Sequence, residues 1–310
     1  MKIKSRTYQD DSDYWRIRQF LREVFLLNDR REHSWHVARW DYLRWHMHLT
    51  CGFCTPLEKH VSIWETRAGR IAAVMHPLDP DEAFLHVHPG FRTPELELEM
   101  IRHAEQTFDN LQPDGLRRMY VPVDEDDNLR KEVLARQGYA GIGCPGWEHH
   151  RDLTDPLPDF TAPPGYALRS MGGLDEHPAR SWASWLAFHP DEPDENYEGW
   201  EWYANIQSAP LYRRDLDLVA ADDEGQIAAF CTSFYDDSTR SAVVVLDGTA
   251  APHWRRGLGK ALLCEAMRRL QRLGCTRLFA KATDLPADAL YSSVMPEKIL
   301  SETWIKEYRS

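Results

Sequence analysis

The segment with the clearest capacity for chemistry lies late in the chain and consists of Trp254, Arg255, Arg256, Gly257, Leu258, Gly259 and Lys260. Its glycines allow positive φ angles and a close backbone approach to a ligand. The segment opens an amphipathic helix pattern, and the first N–H groups of a helix have no internal partner. Together with the cationic side chains they form a site for an anion, here a pyrophosphate. The alternative is a tight strand-to-helix turn whose arginines are solvated.

Other residues offer metal or aromatic chemistry. Cys51 and Cys54 have the spacing of zinc ligands, and three histidines lie near them in sequence, His46, His48 and His60. A second cysteine pair is missing, so we expect a turn there and no metal. Two aromatic series, at 35–45 and 200–203, either line a pocket or pack in a core, and we expect packing. The second series follows an acidic loop at 191–195, which would suit an amine if it bordered a site.

The elements that position these residues occur twice along the chain. A strand, a glycine turn and a second strand are predicted around Gly69 and again around Gly225. Each set is followed by an apolar strand, a proline, an amphipathic helix, a glycine and a further strand, at an offset of about 160 residues. Four prolines mark 152–165 as a linker. The sequence therefore predicts two α/β (α+β) domains, at 1–151 and 166–310, each a mixed central sheet flanked by helices.

Length and composition agree with two soluble domains. The chain has 310 residues, of which 43% are hydrophobic, and single domains commonly hold ~150 residues. A net charge of -12 argues against nucleic acid as a partner, because the protein would repel a phosphate backbone. The sequence has no signal-peptide pattern and no apolar run long enough to span a membrane. We therefore expect a cytoplasmic protein with free thiols.

Residues 252–263 resemble the acetyl-CoA loop of the GNAT superfamily, in which [Gln/Arg]-x-x-Gly-x-[Gly/Ala] joins a strand to a helix. A Leu-Tyr pair that opens the last helix of that family matches Leu290 and Tyr291. The order of elements resembles the family from about residue 166 onward, and more faintly from about 4 to 139. The resemblance is therefore to the tandem, two-domain type.

Three positions depart from the family pattern. Trp254 stands where the loop usually begins with Gln or Arg, and Met295-Pro296 replaces a Gly-Phe pair after the last helix. The strand before the loop often ends in Glu-Pro-Val-Gly in related sequences, whereas here it reads Val-Leu-Asp-Gly at 245–248. The first two departures bear on cofactor binding and on the end of the sheet, and the third bears on the catalytic base.

The resemblance implies roles for individual residues. It implies that acetyl-CoA binds as a co-substrate on Leu246, Gly248, Thr249, Trp254, Arg255, Arg256, Gly257, Leu258, Gly259 and Lys260. Tyr291 takes the role of the acid that protonates the leaving thiolate, and the alternative is a tyrosine packed on a helix. Asp247 is the candidate base, although an aspartate before a glycine is more typical of a turn.

The first copy of the repeat differs at the loop. Its equivalent, at 92–99, has no glycine and contains Pro94 and three glutamates. Carboxylates near a helix N-terminus stabilise the helix but repel an anionic ligand. We therefore expect domain 1–151 to be a degenerate GNAT-like domain that does not bind CoA in this mode.

These observations lead to one functional prediction and one alternative. The prediction is an N-acetyltransferase that moves the acetyl group of acetyl-CoA directly to a primary amine of a small molecule or a peptide. The alternative is a non-catalytic acyl-CoA-binding or scaffold protein with a degenerate GNAT fold. The acceptor, the acyl chain length and the oligomeric state stay open.

Overall fold

The computed structural model describes residues 2–50, 57–108, 110–143 and 146–309. The strands are β1 (Ile3–Thr7), β2 (Ser62–Thr66), β3 (Ile71–Pro77), β4 (Ala83–Val87), β5 (Arg117–Asp124), β6 (Ala140–Gly141), β7 (Gly146–Asp152), β8 (Tyr166–Ser170), β9 (Asp217–Asp222), β10 (Ile227–Asp236), β11 (Ser241–Thr249), β12 (Arg277–Ala282) and β13 (Glu297–Tyr308). The helices are α1 (Asp11–Leu27), α2 (Val37–Tyr42), α3 (His48–Thr50), α4 (Leu57–His60), α5 (Pro94–Thr107), α6 (Asn128–Arg136), α7 (His177–Phe188), α8 (Tyr203–Gln207), α9 (Leu258–Arg272) and α10 (Leu285–Ser292). Among these described helices, none is both long enough and apolar enough to cross a membrane.

The chain forms two compact units that are not continuous in sequence. Unit 1 contains the described residues of Met1–Trp40, Thr50–Trp147 and Ile299–Ser310, and unit 2 contains Asp41–Leu49 and Glu148–Lys298. The sequence-based division at 151 and 166 keeps each domain in one stretch, whereas the contacts place nearly all of β13 in unit 1 and most of β7 in unit 2. Apolar alternation along a strand shows which face is buried but not which sheet the strand joins.

Unit 1 is built on antiparallel strands in the order β1-β2-β3-β4, and on the pair formed by β5 and β13. In that pair Ser301–Tyr308 runs antiparallel to Asp124–Arg117. The core combines residues of β3 and β4, the apolar face of α5 and the inward side chains of β5. Residues 301–308 of β13 therefore supply the strand partner of β5 in unit 1.

Unit 2 has strands in the order β8-β9-β10-β11-β12, followed by β7. Pairing is antiparallel from β8 to β11 and parallel between β11 and β12. All ten residues of β10 are buried because helices pack on the sheet, α7 against β10 and β11 and α9 against β9, β10 and β11. The apolar side of α9 is buried along its whole length, from Leu258 to Leu270. The predicted mixed sheet flanked by helices is confirmed.

A hairpin repeats in the two units. β3 pairs with β4 so that Ala73 faces Val87, and β10 pairs with β11 so that Ala229 faces Thr249. Both hairpins follow a glycine at positive φ, 78° at Gly69 and 81° at Gly225. The pairing of each hairpin with the preceding strand also contains a register shift. This agreement relates the residues of β4 to those of β11 position by position.

Candidate functional site

The last half of β11 is open on one side. β11 pairs with β12 only at Ser241–Val243, opposite Arg277–Phe279. On its other side the pairing with β10 shifts between Thr232 and Ser233, so that Val245 is an extra residue in β11. Such a bulge bends a strand and increases its twist, which turns β11 away from β12. The backbone at 244–249 therefore offers an unpaired edge to a ligand.

Asp247 lies on this open part of β11. It is a strand residue whose cross-strand partner is Cys231, so the alternative interpretation of Asp247-Gly248 as a turn is wrong. The reason is that the bulge keeps the strand extended to Thr249, beyond the point where the apolar pattern ends. Burial raises the pKa of Asp247 to about 6, although a hydrogen bond from Tyr291 acts in the opposite direction.

The two candidate catalytic residues meet directly. The Tyr291 hydroxyl donates to Asp247 Oδ1 over 2.6 Å, and the tyrosine is only 4% exposed. α10 carries Tyr291, and its N-cap residue is Asp284, whose carboxylate accepts from the Ala287 N–H. Because α10 follows β12, the gap between the splayed strands is bordered by Asp247 on one side and by this helix on the other.

A histidine that the sequence did not single out supports α10. His149 of β7 is fully buried, and its Nε2 lies 2.8 Å from Asp288 Oδ1. Its ring centroid is 5.6 Å from that of Tyr291. β7 precedes the linker, and no local pattern connects it with a helix that begins at Leu285. The buried histidine holds α10 at the end that carries the tyrosine.

The loop between β11 and α9 presents the start of a helix without a cap. Gly257 is the N-cap residue with φ 81°, and no side chain caps the first turn of α9. Arg255 also has a positive φ, 62°. A Cβ at Gly259 would lie 3.1 Å from Leu290 Cδ2, so the loop packs tightly against α10 at this glycine. Free N–H groups and the positive end of a helix dipole are the features that bind anions in other proteins.

The three predicted cations of this loop divide into two kinds. The side chains of Arg255 and Lys260 are exposed and form no hydrogen bond or ion pair with any other described residue. Arg256 instead donates to Tyr166 Oη over 2.7 Å and to the Pro252 carbonyl over 3.1 Å. Two side chains are thus available to a phosphate, and one supports the loop.

Trp254 and Gly248 shape the junction between strand and loop. The Trp254 side chain is half exposed, and its indole N–H donates to the Thr249 carbonyl over 2.7 Å. A Cβ at Gly248 would lie 2.6 Å from Phe230 Cζ and 3.1 Å from Ala187 Cβ. Gly248 is therefore required for α7 to cover this end of β11. The hydrogen bond from Trp254 ties the loop to Thr249, the last residue of β11.

The corresponding helix start in unit 1 is closed by its own residues. Thr93 caps α5 by accepting from the Leu96 N–H over 3.2 Å, and Pro94 has no N–H to offer. Glu97 is fully buried and accepts from Arg92 over 2.7 Å and from Arg130 over 2.9 Å. The start of α5 is therefore capped by the chain's own threonine, and two nearby arginines are paired with a buried carboxylate.

The aromatic series at 35–45 contributes to packing, as expected. Trp40 is fully buried, and the ring centroid of Trp35 lies 4.4 Å from that of His76. In the later series Tyr203 is buried and donates to Asp217 over 2.6 Å. Cys51 and Cys54 lie outside the described residues.

One family model matches part of the chain, within unit 2. Residues 178–294 match the model of the family described as Acetyltransferase (GNAT) family. Among curated proteins, no sequence matches the chain significantly.

Solved structures match the whole chain. A GCN5-related N-acetyltransferase from Sphaerobacter thermophilus aligns with a TM-score of 0.66 at 18% identity, over 99% of this chain and 96% of that chain. A tandem GNAT protein from the clavulanic acid biosynthesis pathway aligns with a TM-score of 0.64 at 15% identity, over 99% and 98%. A GNAT-family acetyltransferase from Colwellia psychrerythraea gives 0.61 at 12% identity, over 99% and 100%. The predicted tandem GNAT fold is confirmed, and this fold supports acyl transfer in general.

Proposed function

We propose that this chain of tandem GNAT fold, whose residues 178–294 match the GNAT acetyltransferase family, is an N-acetyltransferase with its active site in unit 2. The proposed reaction is direct transfer of the acetyl group of acetyl-CoA to a primary amine of a small molecule or a peptide. One observation carries this proposal. The bonded pair of Asp247 and Tyr291 lies on the open edge of β11, one loop away from the uncapped start of α9.

The residues around this edge fit an acyl-CoA. A pyrophosphate would accept from the N–H groups of the first turn of α9, and Arg255 and Lys260 would add positive charge. A pantetheine arm carries amides, and it would pair with the unpaired backbone at 246–249 as an added strand does. When bound, the thioester supplies an activated acetyl group and a thiolate leaving group.

Asp247 would act as the proton acceptor. The attacking amine must lose a proton as its bond to the acetyl carbon forms and the carbon–sulfur bond breaks. Above its pKa of about 6 the Asp247 carboxylate is ionised and can take that proton, directly or through a water. A buried carboxylate with a pKa near the working pH suits this task better than an exposed one.

The hydrogen bond between Tyr291 and Asp247 sets the order of the proton transfers. While Asp247 is ionised, the phenol proton points to its Oδ1 and is not available to a thiolate. Once Asp247 holds the proton of the amine, the carboxyl group becomes the donor to the Tyr291 oxygen. The phenol proton is then free to protonate the thiolate, and Asp247 returns a proton to Tyr291. The pair thus moves one proton from amine to sulfur and ends in its initial state.

The alternative function is a non-catalytic acyl-CoA-binding protein. Trp254 supports it, because the family usually has Gln or Arg at this position. Here the tryptophan side chain instead donates a hydrogen bond to the Thr249 carbonyl. Met295 supports it as well, because Met295-Pro296 stands where the family usually has Gly-Phe. The Met295 N–H donates to the Tyr291 carbonyl over 2.6 Å. In this alternative CoA binds, but no amine is acetylated.

Calorimetric titration of acetyl-CoA into the purified chain, followed by a screen of primary amines for release of free CoA, tests both. We expect saturable binding at one site per chain and thiol release that depends on an amine. Binding without release for any amine would favour the alternative. No binding at millimolar acetyl-CoA would contradict both proposals.

A further inference from the structure

Unit 2 contains a buried cation without a counter-ion in contact. Arg180 of α7 has no exposed surface, and none of its three side-chain nitrogens has a hydrogen-bond partner among the described residues. Removing a guanidinium from water without pairing it is among the most unfavourable changes in folding. An arginine normally satisfies several of its five donors when it is buried. The position therefore lacks an anionic or strongly polar partner.

The immediate neighbours of Arg180 compensate its charge only in part. Its guanidinium carbon lies 3.5 Å from the ring centroid of Phe230 and 4.8 Å from that of Tyr203. Such cation–π contacts are favourable but leave the N–H groups unsatisfied. The ring of His46 stays neutral beside it, because burial and then Arg180 lower the pKa of His46 to about 4. These three neighbouring rings are thus uncharged.

The buried carboxylate of this region is already occupied. Asp217 accepts from Tyr203 over 2.6 Å, from Tyr212 over 2.8 Å and from Thr232 over 2.9 Å. Three hydroxyl groups therefore satisfy its two oxygens, and Arg180 is not among its donors. The carboxylate holds Tyr203 in place, and Tyr203 in turn holds one face of the guanidinium.

Arg180 lies next to the open end of β11. Phe230, on which the guanidinium is stacked, is the cross-strand partner of Gly248. The Phe230 ring fills the space that a side chain at Gly248 would need. Ala187, seven residues along α7 from Arg180, approaches Gly248 from the same side. One aromatic ring thus separates the unpaired cation from the strand that borders the proposed reaction centre.

We infer that the acyl acceptor of unit 2 carries a carboxylate that pairs with Arg180, so that the substrate is an amino-carboxylic acid rather than a simple amine. This inference rests on the proposed acetyl transfer. A carboxylate matches the planar fork of a guanidinium with two parallel hydrogen bonds. A carboxylate also balances the single positive charge of Arg180, whereas a phosphate dianion would leave one negative charge uncompensated in a buried aromatic site.

Binding requires local opening, since Arg180 is closed to solvent. α8 is a helix of only five residues, Tyr203–Gln207, and it packs against α7 and against the π-helical turn Leu43–Met47. Tyr203 and Ile206 are the buried residues of α8, so opening has to free these two side chains and the bond from Tyr203 to Asp217. The acceptor carboxylate then forms the ion pair as the site closes, which places the amine near β11.

Paired acceptors that differ only in the carboxylate test the inference. The probes are L-lysine against cadaverine, L-phenylalanine against phenethylamine, and β-alanine against ethylamine, each with acetyl-CoA and detection of free CoA. In the wild-type chain we expect kcat/KM to favour a carboxylate-bearing probe by at least about 100-fold, because its absence leaves the guanidinium unpaired. In Arg180→Met this preference should fall close to one, and Arg180→Lys should restore part of it. Equal use of both members by the wild type, or an unchanged preference in Arg180→Met, would overturn the inference.

Thermal unfolding supplies a readout that does not depend on turnover. Arg180→Met keeps the apolar stem and removes the uncompensated charge, so we expect it to raise Tm, whereas an arginine with a structural role would lower it. Without acetyl-CoA, the same amino-carboxylic acids should raise the Tm of the wild type but not of Arg180→Met. A lower Tm in Arg180→Met, or equal stabilisation of both proteins, would contradict the inference. The calorimetric titration of acetyl-CoA is separate, so loss of the proposed function and loss of the carboxylate site are distinguished.

Discussion

The two units share a hairpin and a following helix, but the N-terminus of that helix is capped in unit 1 and uncapped in unit 2. α5 is capped by a threonine and begins with a proline, and the buried Glu97 forms ion pairs with the neighbouring Arg92 and Arg130. α9 begins at Gly257, with no cap and with two exposed cations that have no partner among the described residues. The comparison teaches that a fold can keep the geometry of an anion site and lose the site itself by satisfying the same groups internally.

The strands before these helices differ in the same sense. The hairpin register places Leu85 of β4 at the position that Asp247 has in β11. Leu85 is part of the apolar core of unit 1, whereas Asp247 bonds to Tyr291. The pairing of β3 with β4 has no register shift, and that of β10 with β11 has one. Unit 1 uses this position for packing, and in unit 2 the same position carries the proposed base.

The largest expected effect comes from a charge at the uncapped helix start. Gly257→Glu should lower the affinity for acetyl-CoA by at least about 100-fold, because a carboxylate then occupies the anion site at a backbone angle that disfavours a side chain. Gly115→Glu is the matched control in unit 1, since Gly115 has the same φ of 81° and equally open space. Calorimetry on both variants should show a loss in the first alone. A similar loss in both would remove the distinction between the units.

Replacing Asp247 by Asn should lower turnover by about 100-fold or more, the usual contribution of a general base. The wild-type rate should rise with pH through about 6, because Asp247 must lose its proton to act as a base, and this rise should vanish in the variant. Asp223→Asn, at an exposed site, serves as the control. A pH profile that is identical in wild type and Asp247→Asn would leave the base elsewhere.

Tyr291→Phe should reduce turnover about tenfold to 100-fold with little change in acetyl-CoA affinity. The hydrogen bond from Tyr291 lowers the pKa of Asp247, so its removal should raise that pKa and shift the rising limb of the pH profile to higher pH. Rates measured from pH 5 to 9 would show this displacement. A limb that stays in place would mean that the two residues do not act as a pair.

The smallest effects should separate the arginines of the two helix starts. Arg255→Ala should weaken acetyl-CoA binding by about threefold, and less so at high salt, because an exposed cation near a helix end contributes little. Arg92→Ala should leave that affinity unchanged and destabilise the chain by about 1–2 kcal/mol, since Glu97 loses one of its buried donors. Calorimetry and urea unfolding on both variants check this. A change in affinity for Arg92→Ala would show that unit 1 takes part in binding.

Much of the loop, but less of the site, could be predicted from the sequence. The alternation of glycine and cation at 255–260 is a local pattern, so it indicated the anion site directly. The bond between Tyr291 and Asp247 joins residues 44 positions apart, and it depends on a bulge that no composition reveals. Arg180 was missed because a charged residue in an amphipathic helix is typical of an exposed face. Its burial follows only from the packing of α7 on β10.

The last strand of the chain has a consequence for biosynthesis. On the ribosome, unit 1 emerges first, but β5 cannot pair with β13 until 301–308 has been made, after strands β8 to β12 of unit 2. The contact between Arg118 and Glu307 closes a loop of 189 residues, which makes it a slow and late event. Unit 2 can therefore complete its sheet while unit 1 still exposes β5 to chaperones or to another nascent chain. A chain that ends before residue 301 would lack the strand partner of β5, so the loss would affect unit 1, which is synthesised first.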